Sequence, residues 1–170
     1  ETNILSIPLT FRSNVPADKL LALTWKDQIK RDLSDCIKIT LNGIESTTVY
    51  KQLSEGAFEA VILDWTGAYP DPEAYLTPLL SCNEINNNSC LKGEAVFSGS
   101  FWGNNEVQKL LDKSEELEGE IRLKNLIKVE KLAAKESAYL PVWLVNPKAW
   151  SLKDISQPEF SRDGLIILKN

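Results

Sequence analysis

The sequence predicts an α/β domain: a largely parallel sheet with helices on both faces. Between Ile4 and Leu63, short apolar runs alternate with helical patterns in the order strand-helix-strand-helix-strand. The last of these runs, Ala60-Val61-Ile62-Leu63, is unbroken, as in a strand covered on both faces. The chain has 170 residues, 43% hydrophobic and 25% charged, enough to close one well-packed core.

Each element has a local reason. Ile4 to Phe11 reads as the first strand, and Pro8 within it suggests an edge or a bulge. Ala17 to Leu33 follows as a helix, because Leu21, Trp25, Ile29 and Leu33 recur on one face while Lys26, Lys30 and Arg31 lie elsewhere. Ile37 to Leu41 alternates as a second strand, and Asn42-Gly43 is expected to turn the chain. Thr47 to Ser54 is a short helix that stops near Gly56, and Ala60–Leu63 is the third strand, with right-handed crossovers between the three.

Further on, Asp71 can cap a helix whose first residue is Pro72. Asn83 to Ser89 is too asparagine-rich for a helix or a strand, and Phe97 to Asn105 is a loop of aromatics and small residues. Asn104 or Asn105 can cap a helix to about Leu117, with Val107, Leu110, Leu111 and Leu117 inward. After Gly119 a longer helix runs to about Glu136, with Ile121, Leu123, Leu126, Ile127, Leu132 and Ala133 available for packing. Tyr139 to Val145 reads as extended, with Trp143 and Trp150 as packing residues, and Gly164 to Leu168 as a final apolar strand. Repeats, low-complexity tracts and internal linkers are absent, so residues 1–170 read as a single domain.

Composition excludes several functions. With a net charge of −5 and no basic stripe, the chain lacks the electrostatic footprint of a nucleic-acid binder. Its longest apolar runs fall short of the ~20 residues that span a bilayer. The absence of histidine removes any Ser-His-Asp or Cys-His engine and any His-ligated zinc. No cofactor or metal is expected. Asp64 and Asp71 are the only carboxylates on a candidate site loop, and Ser98-Gly99-Ser100 lacks a nucleophile-elbow context. Cys36, Cys82 and Cys90 lack metal-ligand spacing. Cys36 reads as a small buried apolar residue. Cys82 and Cys90 flank the polar loop either as reduced thiols or as a disulfide, which would stabilise by roughly 2–3 kcal/mol.

The densest information lies between Glu59 and Leu76, where the third strand passes into an aromatic loop and then a helix. In open α/β sheets ligands bind outside the carboxyl ends of the strands, which is where this loop starts. It presents Trp65, Thr66, Gly67 and Tyr69 at that edge. Trp65 can either seal the end of the sheet or contact a ligand. Phe101 and Trp102 form a second aromatic surface, either near a cleft or as a plug under the cysteine loop.

The run Phe58-Glu59-Ala60, Trp65-Thr66-Gly67-Ala68-Tyr69-Pro70-Asp71-Pro72 and Tyr75-Leu76 resembles the second lobe of the solute-binding proteins of oligopeptide, dipeptide and nickel ABC importers. Flanking segments are similar too: Trp25 to Lys30, Tyr50-Lys51-Gln52-Leu53-Ser54-Glu55-Gly56, and Lys135 to Pro141. The resemblance covers nearly the whole chain and implies a type II periplasmic-binding-protein-like lobe, with the larger first lobe missing from this sequence. It implies solute capture outside the cytoplasm by closure of two lobes, docking on an ABC permease, and no membrane insertion by this chain itself. A periplasmic or lipid-anchored location follows, the anchor lying on the missing part. It implies ligand contact by Trp65, Thr66, Gly67, Tyr69 and Trp102, and it favours the Cys82–Cys90 disulfide. One departure stands out. Peptide binders of this family carry a carboxylate three residues after the tryptophan, opposite the peptide ammonium, and this chain has Ala68. An alanine cannot neutralise a buried ammonium. Two other classes of function are compatible with the sequence: a stand-alone protein-interaction domain derived from such a lobe, and a small hydrolase, which would need a compact pocket with a perturbed carboxylate at Asp64 or Asp71.

Overall fold

The structure is a computed structural model and describes residues 4–145, 148–152, 159–161 and 166–167. Its first half is a three-stranded parallel sheet. Strand β1 (Leu5–Arg12) pairs along its full length with β2 (Ile37–Ile44), in register from Leu5↔Ile37 to Arg12↔Ile44. Strand β3 (Ala60–Val61) joins the opposite side of β1 at Leu9 and Thr10, giving the order β2-β1-β3. Helix α1 (Pro16–Asp32) crosses from β1 to β2 and buries Leu21 and Ala22 against Leu9, Phe11, Ile39 and Ile62. Trp25 and Ile29 extend that contact, so three of the four residues expected on the apolar face pack as expected. The fourth, Leu33, is exposed, because it follows the last helical residue.

Two breaker residues sit where local rules disfavour them. Pro8 lies in the central strand, not at an edge or bulge. The Leu5 N–H donates to Cys36 O on the β2 side, so the alternation of an extended strand turns the Pro8 nitrogen to the other side. There β3 begins pairing only at Leu9, so no ladder bond is lost. Asn42-Gly43 does not turn the chain; both residues continue β2 opposite Thr10 and Phe11. Gly43 makes room for packing: a Cβ there would lie 2.9 Å from Cζ of Phe11, whose ring covers the glycine and would have to shift. Strand β3 is also shorter than the apolar run, although the Ile62 N–H still donates to Thr10 O at 2.9 Å. Helix α2 (Ser46–Leu53) precedes it and buries Val49 and Leu53.

The second half is mainly helical. Helix α3 (Glu73–Leu80), α5 (Asn105–Glu115) and α6 (Gly119–Lys135) enclose a separate core of Leu80, Val107, Leu111, Leu126, Val129 and Ala133. Asn104 caps α5, its Oδ1 accepting from the N–H groups of Glu106 and Val107. Of the apolar residues offered by α6, Leu126 and Ala133 are buried, whereas Ile121, Leu123 and Ile127 are exposed. A helix in contact on one side has no use for them on the other.

Between α3 and α5 the asparagine-rich stretch does form strands. β4 (Glu84–Asn86) and β5 (Ser89–Lys92) make an antiparallel hairpin, with Asn87 and Asn88 at φ 49° and 63°. Asparagine tolerates positive φ, so the residues that argued against a strand form its two-residue turn. The Cys82–Cys90 disulfide joins the approach to β4 to the middle of β5 and is buried with Ala95 of the short helix α4 (Glu94–Phe97). Cys36 is a free, exposed cysteine, not a buried one. Trp143 and Trp150 are also exposed, the latter at 93%. Of the final strand, Ile166–Ile167 is described as β7, antiparallel to β6 (Glu159–Phe160), and the rest of Gly164 to Leu168 lies outside the described residues.

Candidate functional site at the carboxyl edge of the sheet

Because the three strands are parallel, their last residues share one edge: Arg12 of β1, Ile44 of β2 and the Ile62-Leu63-Asp64 exit from β3. A polar network occupies it. Arg12 is buried, and its guanidinium lies flat against Asp18 in the first turn of α1: Nε donates to Oδ2 at 2.7 Å and Nη2 to Oδ1 at 3.0 Å. Its remaining amine, Nη1, donates to the Tyr50 hydroxyl of α2 at 2.7 Å and to Asp64 Oδ1. Tyr50 in turn donates to Asp64 Oδ1 at 2.7 Å, and its ring centroid lies 5.8 Å from Arg12 Cζ. One cation thus joins β1, α1, α2 and the exit of β3.

Protonation follows from these contacts. The fork on Asp18 holds Arg12 charged beyond its already high ordinary range. Burial alone would raise the Asp64 carboxyl, but the Tyr50 hydroxyl and the charge of Arg12 outweigh it and keep Asp64 ionised below the usual carboxylate range. Burial and the bond to Asp64 raise the Tyr50 phenol, so it stays a neutral donor.

The aromatic loop leaves directly from Asp64. Trp65 and Tyr69 present large exposed surfaces, at 46% and 51%, and Thr66 is exposed beside them. Gly67 packs under Tyr75 of α3, and a Cβ at this position would fall 2.6 Å from the tyrosine ring. The loop therefore bends back over its own helix. At its far end, Asp71 accepts from the Glu73 N–H at 2.8 Å, which makes it the capping residue the sequence predicts, although the helix proper begins at Glu73. Its carboxylate also takes a bidentate fork from Arg122 of α6, at 2.8 and 2.9 Å, and Arg122 reaches Glu73 as well. That fork, opposed by partial burial, leaves Asp71 below the usual carboxylate range.

Trp65, Thr66, Gly67 and Tyr69 thus sit together on one loop at the sheet edge. Trp102 sits elsewhere: it is half-buried against the α3–α5–α6 core and bridges Ser89 of the hairpin. Ala68 is exposed on the loop and supplies no charge. Sequence reasoning missed Arg12, Tyr50 and Arg122. Arg12 carried one usable signal, as the polar residue closing an apolar strand at its carboxyl end; Arg122 looks like any charge on a solvated helix face.

This architecture defines the class: an α/β lobe with the periplasmic-binding-protein-like fold. Within that class, several of the solved structures it matches are described as peptide-binding proteins. They include the Escherichia coli murein tripeptide binding protein MppA (TM-score 0.65, 18% identity, 79% of this chain and 24% of that one). Burkholderia pseudomallei OppA matches with TM-score 0.66 and 19% identity over 81% of this chain and 24% of that chain. Haemophilus influenzae OppA in complex with the peptide RPPGFSPFR matches with TM-score 0.65 and 20% identity over 80% of this chain and 24% of that chain. The chain spans about a quarter of the length of these proteins. No family model and no curated protein matches it. Among the described residues, no helix is long and apolar enough to cross a membrane.

Proposed function

We propose that this chain is the second lobe of an extracytoplasmic solute-binding protein that captures a peptide or peptide-like ligand for an ABC importer. The observation that carries this reading is the loop at the carboxyl edge: two exposed aromatic side chains on a backbone fixed at both ends, in a fold shared with peptide-binding proteins. Trp65 and Tyr69 would supply apolar contact, Thr66 a hydroxyl, and Gly67 close backbone approach, while Trp102, packed on the helical core, is left out of this contact set. A first lobe would close over the same edge, by a hinge motion, and the closed form would dock on the permease. Alone, this lobe offers half of the burial, so its own affinity is weak.

A binding role also fits the state of the carboxylates. Asp64 is engaged by Arg12 and Tyr50, and Asp71 by Arg122, so neither is a free acid or base. With Ala68 in place of a carboxylate, a ligand with a blocked or neutral amino end suits the loop better than a free ammonium. The test begins with the transcript upstream of the Glu1 codon. An in-frame first lobe supports the reading; a start codon close upstream without one would instead favour a stand-alone interaction domain.

A further inference from the structure

We propose that Arg12 and Arg122 are positioning residues that hold the Trp65–Pro70 loop from its two ends, so that it is a pre-set platform and not a closing flap. The inference rests on the reading of this loop as the ligand surface, but its geometry is independent of any ligand. At the near end, Asp64 is held by Arg12 and by the Tyr50 hydroxyl. Arg12 cannot swing away, because Asp18 grips two of its nitrogens in a buried site. At the far end, Asp71 is held by a two-pronged contact from Arg122, which α6 supplies from 51 residues further along the chain. Within the loop, the Asp71 N–H donates to Tyr69 O at 2.8 Å, and Gly67 lies against the Tyr75 ring.

The consequence is specific. Six residues run between two arginine-held carboxylates, one fixed to the sheet and the other to the helical layer. A bidentate arginine fixes direction as well as distance, which a lysine cannot do. The Arg122 fork on Asp71, together with the single Arg12 Nη1 contact and the Tyr50 hydroxyl on Asp64 Oδ1, removes freedom the loop would otherwise lose on binding, so Trp65 and Tyr69 meet a ligand already ordered. Arg122 then acts on recognition without touching the ligand.

Fluorine NMR of the chain labelled with 5-fluorotryptophan tests this without a ligand. The five tryptophans are assigned by single Trp→Phe changes, and Arg122→Gln is compared with the parent. Trp65 reports the loop, while Trp102, packed against the α5–α6 core, reports whether α6 itself has loosened. The expected result is a shifted or broadened Trp65 line with the Trp102 line in place. An unchanged Trp65 line, or movement of Trp102 together with it, overturns the proposal and leaves Arg122 a structural residue of α6. Should Arg122→Gln fail to fold, Asp71→Asn keeps the shape, removes the ion pair and is read by the same two lines. A Trp65-selective change in a protein that later proves to bind no peptide would uphold the anchoring and count against the functional reading alone.

Discussion

The arginines at the two ends of the Trp65 loop hold it differently: Arg122 forks onto Asp71 itself, whereas Arg12 forks onto Asp18 and reaches the loop's Asp64 through Nη1 alone. Arg12 and Asp18 are each almost wholly buried, with side chains 5% and 7% exposed, whereas Arg122 and Asp71 keep 22% and 30%. Removing one member of a buried pair strands a charge in a low-dielectric site, while removing one member of a half-exposed pair leaves a carboxylate that water can still solvate. Arg12, through its pair with Asp18, is therefore part of what holds the sheet together, although the Asp64 side chain it reaches is 67% exposed, and Arg122 can vary at little cost to the fold. A site assembled in this way can be tuned from one side only.

The largest expected effect comes from breaking the buried member. Arg12→Leu should cost about 3–5 kcal/mol, because Asp18 loses its partner while remaining buried. Urea unfolding measures it, and a loss below about 1 kcal/mol would show that Asp18 finds water. Leu126→Ala, in the helical core away from both anchors, should cost about 2–4 kcal/mol by opening a cavity. Its Trp65 fluorine line should stay in place, which separates general destabilisation from loss of positioning. Reducing the Cys82–Cys90 disulfide frees a short loop and should cost about 2–3 kcal/mol in the same assay. Arg122→Gln should cost no more than about 1 kcal/mol, since its ion pairs are half-exposed.

The smallest effect concerns pH. Asp71 has a lowered pKa in the folded protein because Arg122 binds its ionised form. Its contribution is complete above the ordinary carboxylate range and is lost as pH falls through the lower, folded value. Acid titration of stability should thus show a decline that Arg122→Gln makes shallower. An identical acid limb in both proteins would mean that the Arg122 contact carries no linkage.

Which features were legible in the sequence follows the same division between local and distant causes. The order of β1, α1, β2, α2 and β3 came from short-range periodicity, and Asn104 and Asp71 were recognisable as caps from the residues beside them. Pro8 and Gly43 misled because their tolerance depends on neighbouring strands: where β3 starts pairing, and where the Phe11 ring lies. The hairpin of β4 and β5 was hidden by its own turn residues, Asn87 and Asn88. Cys36 was assigned to the interior from residue type alone, and the end of α1 leaves it in the open. At the site, the aromatic loop could be read directly, but its anchors could not. Arg12 meets Tyr50 and Asp64 across 38 and 52 residues, and Arg122 meets Asp71 across 51, separations at which a single sequence carries no pairing signal.

The central claim is that the Trp65 loop is a ligand surface in a two-lobed binder. Isothermal titration of di- to pentapeptides, free and N-acetylated, into the product of the whole reading frame tests it most directly, with the Trp65→Ala protein alongside. The account predicts saturable binding by the parent and affinity at least about tenfold weaker without the tryptophan, a loss of about 1.4 kcal/mol. Equal affinity in the two proteins, or no binding of any peptide by the intact product, would contradict it.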